Sequence, residues 1–249
     1  MTDVLQFTTD VAQEAGEIMK KYFGQELTRQ SKGEPDNFAT EADHEAEALI
    51  IKAITKSFPD DAILAEESGN HGSADAEHTW IIDPVDGTYN FANTVPDCAV
   101  MIARASKNQV EVAVVYNPLR QLFAKASRGS GTYLNDVRVQ APNDVAPPWR
   151  IMGFTDTDIE RKLKSDRIII ENLRSSGANV LAILQGTHSA FIGRGWIWDI
   201  APVSLLLTEA GLTMSYLTLK SYDWTRAKEI IVAAPAVQHA ELVQLLTER

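Results

Sequence analysis

The sequence predicts an α+β / α/β fold built from two halves, and three observations lead to this prediction. Apolar residues recur at three- and four-residue steps up to residue 58, apolar runs of strand length follow between residues 62 and 126, and strand and helix patterns mix after residue 148. The Pro-rich break at residues 146–148 divides an N-terminal α+β half, residues 1–145, from a C-terminal α/β half, residues 146–249.

Two amphipathic helices open the N-terminal half. An apolar stripe over residues 4–22 predicts a first helix that ends at Gly24. The second helix begins after Thr40, a favourable N-cap residue, and stops at Pro59 because proline cannot continue a helix. The polar stretch between the two helices, residues 25–38, predicts an exposed loop.

Strand-length apolar runs follow the second helix. The runs at residues 62–65 and 80–82 each end in acidic residues, so we expect strand ends that carry carboxylates. The remaining runs predict an antiparallel meander over residues 99–105, 110–116 and 121–126, and helices over residues 178–184, 200–210 and 237–246.

Composition limits the classes of function. The net charge of −11 argues against a nucleic-acid polymer as partner, because binding to phosphate backbones requires clustered lysine and arginine. If an acidic chain handles phosphates, cations must first neutralise its site; the alternative is an acidic surface that serves solubility. A single cysteine, Cys98, excludes an intrachain disulfide. No secretory signal or membrane span is visible, so we predict a cytoplasmic protein without a membrane partner.

The segment from residue 80 to 88 carries the strongest chemical signal. An apolar strand leads into Asp83 and Asp86, whose carboxylates, with the Val85 carbonyl, form a set of hard oxygen ligands of the kind that Mg²⁺ prefers. Gly87 and Thr88 would then present backbone N–H groups to a phosphate at a helix start. The alternative is an ordinary acidic turn, since Asp, Pro and Gly are the commonest turn residues.

Two further acidic segments are ambiguous by themselves. Glu66 and Glu67 end the preceding strand, where alternation along a strand would direct one inward and the other to solvent. A solvated acidic loop is the alternative. Asp199 precedes a predicted helix, where it is either a site residue or simply an N-cap.

Taken together, these segments resemble the inositol monophosphatase family. The signature of that family matches DPVDGTYNF at residues 83–91, and its upstream acidic motif matches EES at residues 66–68. WDIAP at residues 198–202, with TEAG at residues 208–211, resembles its C-terminal motif, and NFATEAD at residues 37–43 resembles a fourth one. Four matches in the family's order are far more specific than any of them alone.

The resemblance implies a fold and a set of roles. The implied fold is the layered α/β/α/β/α sandwich of the inositol monophosphatase / fructose-1,6-bisphosphatase type, usually dimeric and lithium-sensitive, with two or three Mg²⁺ ions between the halves. The implied metal ligands are Glu67, Asp83, Val85 through its carbonyl, Asp86 and Asp199. The implied catalytic residues are Thr88, Asp43 and Glu67, and the implied substrate-binding residues are Asp86, Gly87, Thr88 and Asp199. Lys32 matches a lysine that precedes the fourth motif.

Three departures from the family pattern are visible, and one of them concerns substrate choice. Ala201-Pro202-Val203 replaces Ala-Ala-Gly, and Asn37 stands where the fourth motif has aspartate. The stretch before Asp199 is short, and residues 191–195 read FIGRG where many relatives carry an acid that contacts the sugar hydroxyls. Strict specificity for inositol is therefore not expected.

The resulting prediction is a Mg²⁺-dependent phosphomonoesterase. It would hydrolyse inositol monophosphate or a related sugar or polyol phosphate by direct attack of a metal-activated water, as a homodimer. Alternatives within the superfamily are a 3′-phosphoadenosine 5′-phosphate phosphatase and a fructose-bisphosphate phosphatase. A haloacid-dehalogenase-type phosphatase fits less well because two residues separate Asp83 from Asp86. A non-catalytic binding protein is a further alternative, although every matched metal position retains its carboxylate.

Overall fold

Two large sheets and seven helices form the part of the chain that the computed structural model describes, residues 3–33, 37–107, 109–142, 145–153, 157–218 and 221–248. The helices, in chain order, are α1 (Val4–Tyr22), α2 (Glu41–Ser57), α3 (Thr88–Ala92), α4 (Thr157–Leu163), α5 (Ser176–Leu184), α6 (Ile197–Glu209) and α7 (Ala236–Thr247). Among these residues no helix combines the length and apolar composition that crossing a bilayer requires.

The larger sheet has eight strands in the order β10-β9-β8-β7-β6-β5-β3-β4, and the smaller has five in the order β12-β11-β13-β15-β14. The strands of the larger sheet are β3 (Ala62–Ala65), β4 (Gly69–His71), β5 (His78–Asp86), β6 (Ala99–Ser106), β7 (Val110–Asn117), β8 (Leu122–Ser127), β9 (Gly131–Leu134) and β10 (Val137–Val139). Those of the smaller sheet are β11 (Trp149–Met152), β12 (Ile168–Glu171), β13 (Ala190–Gly193), β14 (Thr213–Tyr216) and β15 (Ile231–Ala234). A two-stranded ribbon joins β1 (Gln30–Ser31) and β2 (Phe38–Ala39).

The layers alternate helix and sheet. Helices α1 and α2 pack on one face of the eight-stranded sheet, and α5 and α6 lie between that sheet and the five-stranded one. Helix α7 covers the far face of the smaller sheet together with α4. Each interface contains its own apolar core, because every sheet face and helix stripe that carries apolar residues must be buried. This architecture confirms the predicted layered α/β/α/β/α fold.

One edge of the larger sheet collects acidic residues. Strands β3 and β5 are parallel neighbours, so their carboxyl ends lie at the same edge. Glu66 and Glu67 directly follow β3, and Asp83 to Asp86 form the end of β5. Helix α6 packs across β5, β6 and β7, and its first turn brings Asp199 to the same edge.

Most predicted elements are confirmed, with two differences. The helices, the meander and the cap at Thr40 lie where the pattern indicated. Strand β5 continues through Pro84 to Asp86 by means of an irregularity in its pairing with β6, whereas we expected it to end at Ile82. The polar stretch 25–38 contains the β1–β2 ribbon. The boundary at residue 146 stays a prediction, because α6 and the core around it contact both sheets.

Candidate metal centre and active site

Three aspartates converge at the shared strand edge. Asp83, Asp86 and Asp199 each offer a carboxylate oxygen, and these oxygens lie within 4.8 Å of one another. The pairing of β5 with β6 shifts register between Asp83 and Asp86. Such a bulge changes the direction of side chains along a strand, and here it brings two aspartates that are three residues apart to one cluster.

Asp86 is fixed by the start of helix α5. Its Oδ1 accepts the Ser176 N–H at 3.0 Å, and its Oδ2 accepts the Gly177 N–H at 2.7 Å and a short hydrogen bond from the Ser175 hydroxyl. Backbone N–H groups of a first helical turn have no partner inside the helix and favour a negative charge. The start of helix α5 therefore orients a carboxylate that strand β5 supplies.

Asp199 is fixed by the start of helix α6. The cap position is Trp196, and Asp199 is the third residue of the helix, where its Oδ2 accepts the Trp196 N–H at 2.6 Å. The N-cap alternative for Asp199 is thus wrong in position, although its carboxylate does satisfy a backbone donor of the first turn. A Cβ on Gly195 would lie 2.6 Å from Asp199 Oδ2, so only glycine fits beside this carboxylate.

Glu66 and Glu67 lie in the turn between β3 and β4. The expectation that they point in opposite directions is wrong, because strand alternation ends at Ala65 and both side chains contact Lys32. The Lys32 Nζ lies 2.9 Å from Glu66 Oε1 and 2.5 Å from Glu67 Oε1. The buried carboxylate of Glu47 holds the turn by accepting the backbone N–H groups of Glu67 and Ser68 at 2.8 and 2.9 Å.

The two glutamates act on different groups. The charge of Glu66 raises the pKa values of all three clustered aspartates, and Glu66 is within hydrogen-bonding reach of Asp83. The charge of Glu67 contributes instead to the raised pKa of Asp43. Glu66 thus influences the three aspartates electrostatically, although it is not among the residues whose oxygens lie within 4.8 Å of one another. The turn that follows a strand no longer obeys alternation, so the pattern could not distinguish the two neighbours.

Thr88 and Asp43 form a hydrogen-bonded pair next to the aspartates. Thr88 Oγ1 lies 3.0 Å from Asp43 Oδ1 and 3.0 Å from the Val85 carbonyl oxygen, and its single proton can be donated to either. The other oxygen of Asp43 accepts the N–H and the hydroxyl of Thr40 at 2.8 and 2.6 Å. Burial raises the pKa of Asp43 to about 7, although the Thr40 hydrogen bonds oppose this shift.

Gly87 shapes the segment between this pair and Asp86. Its φ of +83° is left-handed, a conformation that glycine adopts without the steric cost of a side chain. A Cβ there would lie 2.9 Å from the Ser175 Cβ and 3.0 Å from the Asp97 carbonyl oxygen. Gly87 caps the short helix α3, so the predicted helix start at residues 87 and 88 is confirmed as secondary structure.

The raised pKa values of the three aspartates indicate that a bound cation would stabilise their ionised forms. Burial, followed by the charges of Glu66 and Asp86, raises the pKa of Asp83 well above its usual range. Burial raises the pKa of Asp86 to about 6, against the opposing hydrogen bonds from the start of α5. Burial and the charge of Asp86 raise the pKa of Asp199 likewise. Like charges held this close destabilise the ionised forms unless a positive ion shares the site.

The donor set fits a hard divalent cation. Three carboxylates supply only oxygen atoms, the chemistry that Mg²⁺ and Ca²⁺ select, and the described part of the cluster has no sulfur or imidazole ligand for softer metals. The predicted ligands Asp83, Asp86 and Asp199 thus lie together. The Val85 carbonyl is on the same strand end and already receives the Thr88 hydroxyl, whereas Glu67 faces Lys32.

A cavity of about 440 Å³ opens beside the aspartates. Asp86 and Asp199 line it on the acidic side, together with Ser176 and Gly195. The remaining lining residues are Arg174, Arg194, Trp196 and Lys228, none of which the sequence analysis assigned to a site. They come from three loops that are far apart in sequence, with Arg194 and Trp196 in the loop between β13 and α6, so no local motif connects all of them.

A layered α+β fold, carboxylates at a shared strand edge, a threonine–aspartate pair and a cavity beside them are the features that the resemblance to the inositol monophosphatase family implies. The chain belongs to the inositol monophosphatase family, whose family model matches residues 1–249.

Relatives and solved structures agree with this assignment. A Nus factor SuhB of Salmonella typhimurium is 32% identical over 261 residues, which cover 100% of this chain and 97% of that protein. An inositol-1-monophosphatase of Synechocystis is 31% identical over 255 residues, covering 97% and 88%. The crystal structure of the extragenic suppressor protein suhB from Bartonella henselae has a TM-score of 0.90 at 26% identity and covers 99% of both chains.

Proposed function

We propose that this protein is a Mg²⁺-dependent phosphomonoesterase that hydrolyses small phosphorylated metabolites. The observation that supports this proposal most strongly is the cluster of buried Asp83 and Asp86 with half-buried Asp199, and the Thr88–Asp43 pair beside it. A carboxylate cluster alone would be a binding site. The adjacent pair adds a hydroxyl linked to a buried acid, which is the arrangement that proton removal from water needs.

The chain's own residues divide the work of hydrolysis. When bound at the aspartates, Mg²⁺ would supply Lewis-acid activation of water and neutralisation of the phosphate oxygens. Thr88, while donating its proton to Asp43, directs a lone pair outward that accepts a hydrogen bond from the attacking water. Asp43, with a pKa of about 7, suits a general base near neutral pH. The backbone N–H groups at Gly87 and Thr88 would hold a phosphate oxygen.

We propose Glu66 as a candidate for the fourth acidic ligand, beside Glu67, which the family resemblance implies. The charge of Glu66 contributes to the raised pKa values of Asp83 and Asp199. Both glutamates contact Lys32, at 2.9 Å and 2.5 Å, so this contact does not distinguish them. The Val85 carbonyl completes the proposed set of ligands, and Asp86 and Asp199 also face the substrate cavity.

Several finer expectations remain predictions of the family resemblance. Two or three Mg²⁺ ions, inhibition by lithium, a homodimer and a cytoplasmic location are all part of the proposal. A dose series with LiCl against KCl at matched ionic strength tests the lithium prediction. Light scattering of the purified protein tests the homodimer.

The proposed activity is tested by release of inorganic phosphate from a panel of phosphomonoesters. We expect turnover of inositol 1-phosphate and glycerol 2-phosphate in Mg²⁺ and none in excess chelator. If Mg²⁺ binds in isothermal titration while no member of the panel turns over, the chain is a binding protein that keeps the metal site. The relatives named Nus factor make that outcome worth testing.

The assignment of Glu66 is tested by two neighbouring substitutions of equal size and charge. Glu66→Gln should raise the Mg²⁺ concentration at half-maximal activity by about tenfold or more, because it removes a ligand. Glu67→Gln serves as the matched control and should change that concentration less. The reverse order would return the ligand role to Glu67.

A further inference from the structure

The cavity beside the aspartates has a cationic wall that hydrolysis of a phosphomonoester does not itself require. Eight residues line the cavity, and three of them are Arg174, Arg194 and Lys228. The chain has 23 lysine and arginine residues against 34 acidic ones, so acidic residues outnumber basic ones in the protein as a whole. Around this cavity the order is reversed, with three cationic residues against two acidic ones. The side opposite this wall contains Asp86 and Asp199, where Mg²⁺ would neutralise the reacting phosphate.

Internal contacts hold two of the cations against the site. Lys228 donates its backbone N–H to the Gly195 carbonyl oxygen at 2.7 Å, and its Nζ lies 3.6 Å from the centroid of the Trp196 ring. Trp196 in turn stacks on Trp198 with ring centroids 5.4 Å apart. The Arg174 guanidinium lies 4.3 Å from the ring centroid of Tyr89. Tyr89 directly follows Thr88, the proposed catalytic residue, in the sequence. Ring faces attract cations and restrict where their charge can lie.

The backbone at these cations is itself unusual. Arg174 and Lys228 adopt left-handed conformations, with φ of 56° and 63°. Residues other than glycine seldom do so, and such strain persists where the surrounding structure requires it, often next to functional sites. The left-handed backbone and the ring contacts are separate observations, and both occur at Arg174 and Lys228, which line the same cavity.

The chemistry of the cationic wall favours an anionic partner. Guanidinium and ammonium groups pair best with anionic oxygens, because such hydrogen bonds are assisted by charge. The cavity therefore offers three cationic side chains to a second negative charge of the substrate.

We propose that Arg174, Arg194 and Lys228 bind a second anionic group of the substrate, so that the preferred substrate is a phosphomonoester carrying another phosphate or a carboxylate. This rests on the proposed function, because the first phosphate is taken to bind at the aspartates. The three cations determine which substrate is preferred, because they contact the part of the substrate that does not react.

The experiment compares substrates that differ only in the second anionic group. The pairs are adenosine 3′-phosphate with adenosine 3′,5′-bisphosphate, fructose 1-phosphate with fructose 1,6-bisphosphate, and glycerol 2-phosphate with glycerate 2-phosphate. In Mg²⁺ the wild-type kcat/KM should be about tenfold or more higher for the second member of a pair. The first two pairs test a second phosphate, and the third tests a carboxylate.

The variants locate the effect. The double variant Arg194→Gln/Lys228→Met should reduce the preference within each pair to about threefold or less, and Arg174→Gln should reduce it partly. The matched control is Arg161→Gln, which removes one charge from an exposed arginine on α4, where it pairs with Asp158, and should leave the preference unchanged. A wild-type protein without preference in any pair overturns the inference, as does a preference that survives in the double variant.

Binding separates this inference from the proposed function. If none of the six compounds turns over, the phosphatase proposal fails, and isothermal titration of the same pairs into wild-type protein with Mg²⁺ then decides the inference. Tighter binding of the doubly anionic members supports the cationic wall, and equal Kd values overturn it. If all six turn over at similar kcat/KM, the phosphatase proposal holds and the inference alone fails.

Discussion

The two sides of the cavity are built in different ways. The acidic side consists of buried carboxylates that strand ends and helix starts hold from several directions, such as Asp86 with its three donors at the start of α5. The cationic side consists of exposed side chains on loops, such as Arg194 and Lys228. Asp83 and Asp86 belong to a motif nine residues long that the sequence displays, whereas the cations belong to no motif.

In our proposals, the acidic side of the cavity carries out the reaction and the cationic side selects the substrate. Groups that share charge at short range must be held rigidly, because like-charged carboxylates move apart unless their hydrogen bonds oppose this. Groups that select a substrate can lie on loops, where sequence changes cost little stability. Substitutions on the acidic side should therefore abolish turnover for every substrate, and substitutions on the cationic side should change the order of substrates.

The largest effect is expected from a change at the acidic side. Asp86→Asn should lower kcat/KM by about 10³-fold, or about 4 kcal/mol, since it removes one charge from the proposed ligand set. The asparagine side chain still accepts the Ser176 N–H, so the fold should persist, and relief of carboxylate repulsion should keep the metal-free variant as stable as the wild type. Phosphate release and thermal unfolding check both parts. Undiminished activity would mean that the site lies elsewhere.

The second prediction concerns the pair next to the cluster. Thr88→Val should lower kcat by about 10²-fold for all substrates, because the variant has the shape of threonine but no hydroxyl to link water to Asp43. Thr88→Ser is the control and should retain most of the activity. Turnover of Thr88→Val within threefold of the wild type would exclude this pair from proton transfer.

A smaller effect should follow from loosening the attachment of Asp86 to the C-terminal half. Ser175→Gly removes the hydroxyl that donates to Asp86 but costs a helix N-cap only a few tenths of a kcal/mol. We expect about a tenfold increase in the Mg²⁺ concentration at half-maximal activity with a smaller change in saturated kcat. A loss of kcat that excess Mg²⁺ does not restore would indicate a general structural defect instead.

The smallest effect concerns pH and stability. The raised pKa values of Asp86, about 6, and Asp43, about 7, mean that the metal-free folded state binds protons more tightly than the unfolded state, where the value is 3.8. Stability of the metal-free protein should therefore fall as pH rises from about 4 to about 7. At pH 7, Mg²⁺ at about ten times its Kd should add about 1.4 kcal/mol, or ~3–6 °C in Tm. The same Mg²⁺ concentration should add less at lower pH, because protons compete with the metal for the carboxylates. A Tm gain from Mg²⁺ that does not grow with pH would contradict the raised pKa values.

Local patterns in the sequence were sufficient for much of the fold and for the acidic side. Helices α1 and α2 follow from periodicity because each buries one continuous face, whereas the meander follows from apolar runs of strand length that are buried on both faces. Asp83, Asp86 and Asp199 were found because each lies at the end or start of a regular element, within a motif of the family. Their meeting point follows from parallel pairing of β3 with β5 and from α6 packing on the sheet.

Other features depend on contacts that no local pattern encodes. The pairing irregularity in β5 and the attachment of Asp86 to α5 require the position of both halves. Glu66 and Glu67 are neighbours of the same type, and only the turn geometry that Glu47 fixes distinguishes their surroundings. The cationic wall is assembled from loops far apart in sequence, so it becomes visible only when the cavity is known.

The central claim, that a divalent cation held by Asp83, Asp86 and Asp199 is required for phosphate release, is tested most directly by removing and restoring the metal. One sample of wild-type protein is assayed with inositol 1-phosphate as purified, in excess chelator, and after Mg²⁺ is returned in excess of the chelator. We expect phosphate release to fall by at least about 10³-fold in chelator and to recover when Mg²⁺ is returned. Phosphate release that continues unchanged in excess chelator would contradict it.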